Sequence, residues 1–147
     1  KLNLKKATSS EFDKKGLPII GLINEWTKDG KKIKGTDKDL GGTMRLGSYD
    51  AKLTENSKIR KIYKSRLIKE RHRHRYEVNI NFKEDFENKG MIFSGLSPDS
   101  KLPEIIELEN HPWFIGVQFH PEFKSRPLSP HPLFSSFVKA AKINSKK

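Results

Sequence analysis

Apolar positions along the chain fall into short runs and alternations, separated by charged and glycine-containing breaks. Residues 1–16 are polar and lack strong periodicity. The run Pro18-Ile19-Ile20-Gly21-Leu22-Ile23 predicts a short buried strand. Glu25 to Asp39 is charged, and its Asp29-Gly30 turn signal predicts a loop or a hairpin. After the Gly41-Gly42 break, residues 43–53 predict a strand interrupted at Gly47. Asn56 stands where it would cap a short helix through Lys64, with Ile59, Ile62 and Tyr63 on one side. Residues 70–80 alternate, which predicts one long strand. His72, His74, Tyr76, Val78 and Ile80 would share one face, and Arg71, Arg73, Arg75, Glu77 and Asn79 the other. A short helix over 83–88 would end at Gly90, a residue suited to the left-handed turn after a helix. Three strand-like runs follow, Met91 to Leu96, Glu104 to Leu108 and Trp113 to Phe119. A last helix would start near Pro132, with Leu133, Phe134, Phe137, Val138 and Ala141 as its buried stripe.

Strands in a row with short links, then a terminal helix, suggest antiparallel pairing on one side of a sheet in an α/β or α+β fold. A length of 147 residues fits one domain. Only 33% of residues are hydrophobic, so the core is modest or part of its packing surface belongs to another segment or subunit. No stretch approaches the roughly 20 apolar residues of a membrane span. The start KLNLKK has no apolar region of the kind a signal peptide needs, and it begins with Lys1, as a fragment or a processed product would.

Net charge constrains function less than its size suggests. The balance of 30 Lys+Arg against 18 Asp+Glu gives +12, which favours anionic partners such as nucleic acid, membrane surface or nucleotides. The lysines are dispersed with acids between many of them, however, and a solvated lysine-rich surface is the simpler account. There are no cysteines, which excludes disulfides, thiolate zinc sites and a cysteine nucleophile within these residues.

Candidate chemistry concentrates in Gly116-Val117-Gln118-Phe119-His120-Pro121-Glu122. An apolar strand delivers His120 at its end, Pro121 fixes the turn, and Glu122 can approach the imidazole. A carboxylate bonded to one ring nitrogen sets the tautomer and leaves the other nitrogen as a base. This is the base and its orienting partner from a nucleophilic triad. A bare His-Pro-Glu at a strand end carries little weight alone. The full GVQFHPE run is similar to the His/Glu signature of class I (triad) glutamine amidotransferases. Two further segments narrow the resemblance: Arg71-His72-Arg73-His74-Arg75-Tyr76-Glu77-Val78-Asn79 and Leu40-Gly41-Gly42-Thr43-Met44-Arg45-Leu46-Gly47 look like stretches of the CTP synthase family. Asn110-His111-Pro112-Trp113-Phe114 and His131-Pro132-Leu133-Phe134 also fit, and the resemblance runs from about Ser10 to Ala141.

The resemblance implies a class I glutamine amidotransferase-like α/β fold, a flavodoxin-like mixed sheet flanked by helices, here the C-terminal part of the domain over residues 1–147. It implies that His120 is the general base and Glu122 its orienting partner. It also implies that Arg75 and Glu11 contact bound glutamine, a guanidinium fork suiting an α-carboxylate and a carboxylate suiting an ammonium. Lys34 to Leu40 matches a lid-like loop associated with the GTP effector, and Lys34 stands where an arginine is expected. The nucleophile elbow and the synthase domain are expected outside this chain. The complete enzyme is expected to be cytoplasmic and homo-oligomeric, to use ATP and Mg2+, and to pass ammonia from glutamine to activated UTP. No cofactor, metal or membrane contact is expected within this chain. Two rival readings are a non-catalytic pseudo-glutaminase that acts as a binding or regulatory module, and a basic nucleic-acid-binding domain. The His72/His74 pair also suggests a metal site, but His111, His120 and His131 lack zinc-like spacing.

Overall fold

The computed structural model describes residues 3–13, 15–22 and 44–146. Within them lie eight strands, three α-helices and two short 3-10 turns. Three strands form a small mixed sheet: β1 (Ala7–Ser9), β2 (Leu17–Leu22) and β5 (Tyr76–Val78), in the order β1-β2-β5. β1 runs parallel to β2, and β2 antiparallel to β5. The other five form an antiparallel sheet in the order β4-β3-β6-β7-β8. They are β3 (Arg45–Leu53), β4 (Leu67–His74), β6 (Met91–Leu96), β7 (Pro103–Leu108) and β8 (Ile115–Val117). The expected antiparallel row is therefore present, beside a separate mixed sheet.

The large sheet coils until its two edges meet. Beyond β8, Phe119 bridges to His72 of β4, and the His120 N–H donates to the Arg71 carbonyl at 2.8 Å. Register explains what this coil encloses. Arg45 pairs with His74, Gly47 with His72, Tyr49 with Glu70 and Ala51 with Ile68, and these residues share the inner face. Gly47 does not interrupt β3. Its φ of +112° is a conformation that a side chain would strain, and the ladder continues through it. The apolar centre is small: Ala51, Leu53, Ile59, Ile68, Ile105, Phe119 and Leu133.

Helix α1 (Lys58–Tyr63) is capped by Ser57, whose Oγ accepts from the Arg60 N–H at 3.2 Å. Asn56, the expected cap, instead takes a left-handed φ of +62° that turns the chain into the helix. Helix α2 (Lys83–Glu87) follows a 3-10 turn over Ile80–Phe82, and Gly90 takes the left-handed φ of +79° beyond it. Helix α3 (Pro132–Asn144) starts with its proline in the first turn, where a missing N–H costs nothing.

Three further expectations are corrected. The long strand over 70–80 breaks at Arg75, and β5 leaves the large sheet to pair with β2. The break reverses the parity: Glu77 is fully buried, whereas the even residues beside it are half-buried. The run is a strand over its described residues 18–22, but Pro18 is exposed and Ile20 is 38% exposed, so it is not a buried one. The stripe on α3 is also open: Leu133 is buried, while Phe134, Phe137 and Val138 are 39%, 51% and 63% exposed. Periodicity identifies which positions are apolar; it does not identify what covers them. The loop over Glu25 to Asp39, with Lys34, lies outside the described residues.

Candidate active site

Four interactions place His120 and Glu122. The Gln118 N–H donates to the Glu104 carbonyl at 3.0 Å, and the buried Phe119 side chain anchors the next residue in the core. His120 is then tied to β4 through Arg71. Pro121 opens a 3-10 turn over Pro121–Lys124, and that turn carries Glu122 back towards the preceding imidazole. Glu122 Oε1 lies 2.7 Å from His120 Nδ1. The imidazole stacks on Phe123 with ring centroids 5.1 Å apart. Both members of the pair are solvent-accessible, at 37% and 54% of their side chains. The Glu122 carboxyl is held below its usual range by its own backbone N–H and by the bond to His120. A carboxylate only accepts, so Nδ1 carries the proton and Nε2 keeps its lone pair.

The turn is braced from below. Lys124 Nζ donates to the Lys69 carbonyl at 2.6 Å and lies 3.5 Å from the buried Glu70. Glu70 also accepts from Tyr63 Oη and from His131 Nε2, each at 3.0 Å. Burial works against the Glu70 charge, but the bond from His131, the charge of Lys124 and the bond from Tyr63 outweigh it, and its pKa falls. His131 is also the cap of α3, with Nδ1 accepting from the Leu133 N–H at 3.3 Å.

Glu11 and Arg75 stand elsewhere. Glu11 lies exposed in the turn after β1, and Arg75 is the half-buried link between β4 and β5. The register Ser9↔Ile20 and Leu22↔Tyr76 puts the end of β1 and the start of β5 at the same end of the small sheet. The structure thus joins His120 to Glu122 and sets Glu11 and Arg75 around one sheet end. Among the described residues, no side-chain hydrogen bond or ion pair joins Glu11 or Arg75 to His120 or Glu122.

Between them lies a buried polar network that the alternation pattern does not reveal. Arg45 Nη1 is 2.5 Å from Glu104 Oε1 and 3.4 Å from Glu77 Oε1. Gln118 Nε2 donates to Glu77 Oε2 at 2.6 Å and to the Pro103 carbonyl. His72 Nδ1 is 2.8 Å from His74 Nε2, and His74 Nδ1 is 3.1 Å from the Tyr76 carbonyl. Burial holds both imidazoles neutral, lowering His72 to about 3 and His74 to about 4, with the Arg45 charge adding to it. Burial also raises Glu77 to about 7 against the pull of Arg45, and it raises Glu104. One guanidinium faces two buried carboxylates, so the network favours retaining a proton. His72, His74 and Glu104 bring possible metal-ligand atoms within 4.8 Å of one another. His72 Nδ1 and both His74 nitrogens are already bonded, and Arg45 holds Glu104 Oε1, so we assign no ion to them. The one sequence signal for the network was the Arg/His alternation itself, which puts two histidines on an inner face.

Comparison with known proteins bears on the whole arrangement. The family model for glutamine amidotransferase class-I matches residues 9–140. The chain is 91% identical over 141 residues to a CTP synthase of Pelagibacter ubique (strain HTCC1062), covering 96% of this chain and 26% of that protein. It is 63% identical over 139 residues to a CTP synthase of Zymomonas mobilis, covering 94% and 26%. The chain therefore spans about a quarter of the length of the curated relatives it matches. Among solved structures it superposes on the Trypanosoma brucei CTPS glutaminase domain with bound acivicin, with a TM-score of 0.78 and 32% identity, covering 96% of this chain and 53% of that one. No helix among the described residues is long and apolar enough to cross a membrane.

Proposed function

The chain belongs to the class I glutamine amidotransferase family, and on that footing we propose that residues 1–147 are the C-terminal part of the glutaminase domain of a CTP synthase, carrying the base and the substrate-holding residues. The observation that carries this reading is the 2.7 Å bond between His120 Nδ1 and Glu122 Oε1 at the end of a strand. Nε2 of His120 takes the proton of a cysteine thiol supplied by another part of the enzyme. The thiolate attacks the amide carbon of glutamine, and His120 returns the proton to the departing ammonia. Glu122 stabilises the imidazolium that forms between these events. Water then attacks the thioester with His120 again as base, releasing glutamate. Arg75 holds the α-carboxylate of glutamine as a two-pronged donor, and Glu11 the α-ammonium group. The ammonia goes to UTP activated by ATP in a synthase domain, which gives CTP. ATP with Mg2+, the GTP effector and homo-oligomeric assembly in the cytoplasm belong to this reading of the complete enzyme.

Steady-state kinetics of the complete enzyme test it. His120→Ala is expected to lower kcat with glutamine on the order of 10²-fold or more. Arg75→Ala is expected mainly to raise KM for glutamine. Both are expected to keep CTP synthesis from supplied ammonia. Loss of ammonia-dependent synthesis in both would mark structural roles and count against the assignment.

A further inference from the structure

Arg75 occupies a one-residue link between two strands of different sheets. A guanidinium in such a link samples many positions unless its neighbours are fixed, and a two-pronged grip on a carboxylate then loses affinity. Here both neighbours are fixed. The Tyr76 carbonyl can only accept, so the His74 Nδ1 at 3.1 Å carries the proton. A neutral His74 then has its lone pair on Nε2, and His72 Nδ1 donates to it at 2.8 Å. The chain of bonds runs one way, from His72 through His74 to Tyr76, and closes around Arg75. Glu77, next in sequence and fully buried, accepts from Gln118 at 2.6 Å and from Arg45 at 3.4 Å. Gln118 stands two residues before His120, and Glu77 two residues after Arg75.

We infer that His74 and Glu77 are positioning residues that hold Arg75 at a set place relative to His120, so that glutamine gripped by its α-carboxylate presents its amide to the base. This rests on the reading of Arg75 as the carboxylate clamp. Neither side chain touches substrate. His74 fixes the backbone on either side of the clamp. Glu77 fastens the following strand to the segment that ends in His120. Burial keeps His74 neutral, which its role as acceptor from His72 requires.

The test uses the complete enzyme, with ammonia-dependent CTP synthesis as the control for folding. His74→Leu removes both ring nitrogens and is expected to raise KM for glutamine about tenfold with kcat within about twofold. His74→Asn keeps an N–H donor where Nδ1 stands and is expected to recover most of that loss. An unchanged KM in His74→Leu overturns the inference. Equal loss of kcat and of ammonia-dependent synthesis, with no recovery in His74→Asn, also overturns it, because it marks a merely structural role. Where His74→Leu yields no folded enzyme, Glu77→Gln decides. Assayed at about pH 8, above the Glu77 pKa of about 7, it has the same shape and still accepts from Gln118, but lacks the charge facing Arg45. A severalfold higher KM is expected, and an unchanged KM overturns the positioning role. Arg75→Ala separates the two readings. If it leaves KM for glutamine unchanged, the clamp assignment fails. If it raises KM while both network variants are normal, only the positioning role fails.

Discussion

Buried charge in this protein is concentrated on a few side chains whose protonation opposes one another. His74 faces Arg45, His72, His120 and Glu77, and Glu77 faces Arg45, Glu104, His74 and Gln118. The folded pKa of His74 lies at about 4 against 6.5 for the free group, so its neutral form favours folding. That contribution is fully present above about 6.5 and is lost as pH falls towards the folded value. Glu77 lies at about 7 against 4.5, so the folded state binds its proton more tightly. Its contribution is fully present below about 4.5 and is lost as pH rises through about 7. Thermal midpoints of the complete enzyme at about pH 5 and about pH 8 should therefore respond in opposite senses. His74→Asn is expected to shrink the loss of stability on acidification. Glu77→Gln is expected to enlarge it, because the compensating gain from Glu77 protonation is gone. A shift of the same sign in both variants would contradict these environments. The His120–Glu122 pair was legible in the sequence because its geometry is local: two side chains flanking one proline. The Glu77–Gln118 bond was not, because it joins residues 41 apart in sequence whose proximity follows from the coiling of a sheet.

Elements here are held as much by polar ends as by apolar faces. Helix α1 has only Ile59 buried among its six residues, too little to stabilise so short a helix by packing alone. Its first turn is completed from outside the helix. Glu107 on β7 accepts from the Lys58 N–H at 2.9 Å with Oε1 and from the Ile59 N–H at 3.1 Å with Oε2. Those donors have no partner within the helix, and a carboxylate there also complements the helix dipole. Glu107→Ala leaves two N–H groups unpaired beneath the sheet and is expected to cost roughly 1–3 kcal/mol. Denaturant unfolding of the complete enzyme would show it as a lower midpoint for this domain. A change under about 0.5 kcal/mol would mean that water replaces the carboxylate. Residues 56–64 read as a helix from spacing alone, but the cap is Ser57 and not Asn56, since both are good caps and only the turn geometry separates them. Residues 70–80 look continuous in the sequence because alternation carries on through Arg75. A sheet switch changes hydrogen-bond partners without disturbing the polar pattern, so composition holds no sign of it. β6 and β7 were placed within a residue, because turns at Ser97–Ser100 and Glu109–Asn110 delimit them.

At the scale of the whole molecule, apolar surface and net charge act against each other. Helix α3 presents Phe134, Phe137, Val138 and Ile143 at 39–63% exposure, and Leu46 and Leu67 add 63% and 49% on the large sheet. Among the described residues β1 forms an edge of the small sheet, with one side unpaired. Surfaces of this kind are covered in stable assemblies and promote association when they are not. A charge of +12 on 147 residues opposes the approach of a second copy. Salt removes that opposition, since the screening length falls from about 10 Å at 0.1 M to about 3 Å at 1 M. Apolar attraction is not weakened in the same way. The isolated 147-residue chain is therefore expected to self-associate, and to do so more strongly as ionic strength rises. Light scattering after size-exclusion chromatography, at low and at high salt, measures this directly. Val138→Lys places a charge in the middle of the α3 stripe and should lower the associated fraction at high salt. A single monodisperse monomer at both ionic strengths would show that these exposed apolar residues do not drive association. Association that weakens with salt would assign the contact to opposite charges instead of the apolar stripe.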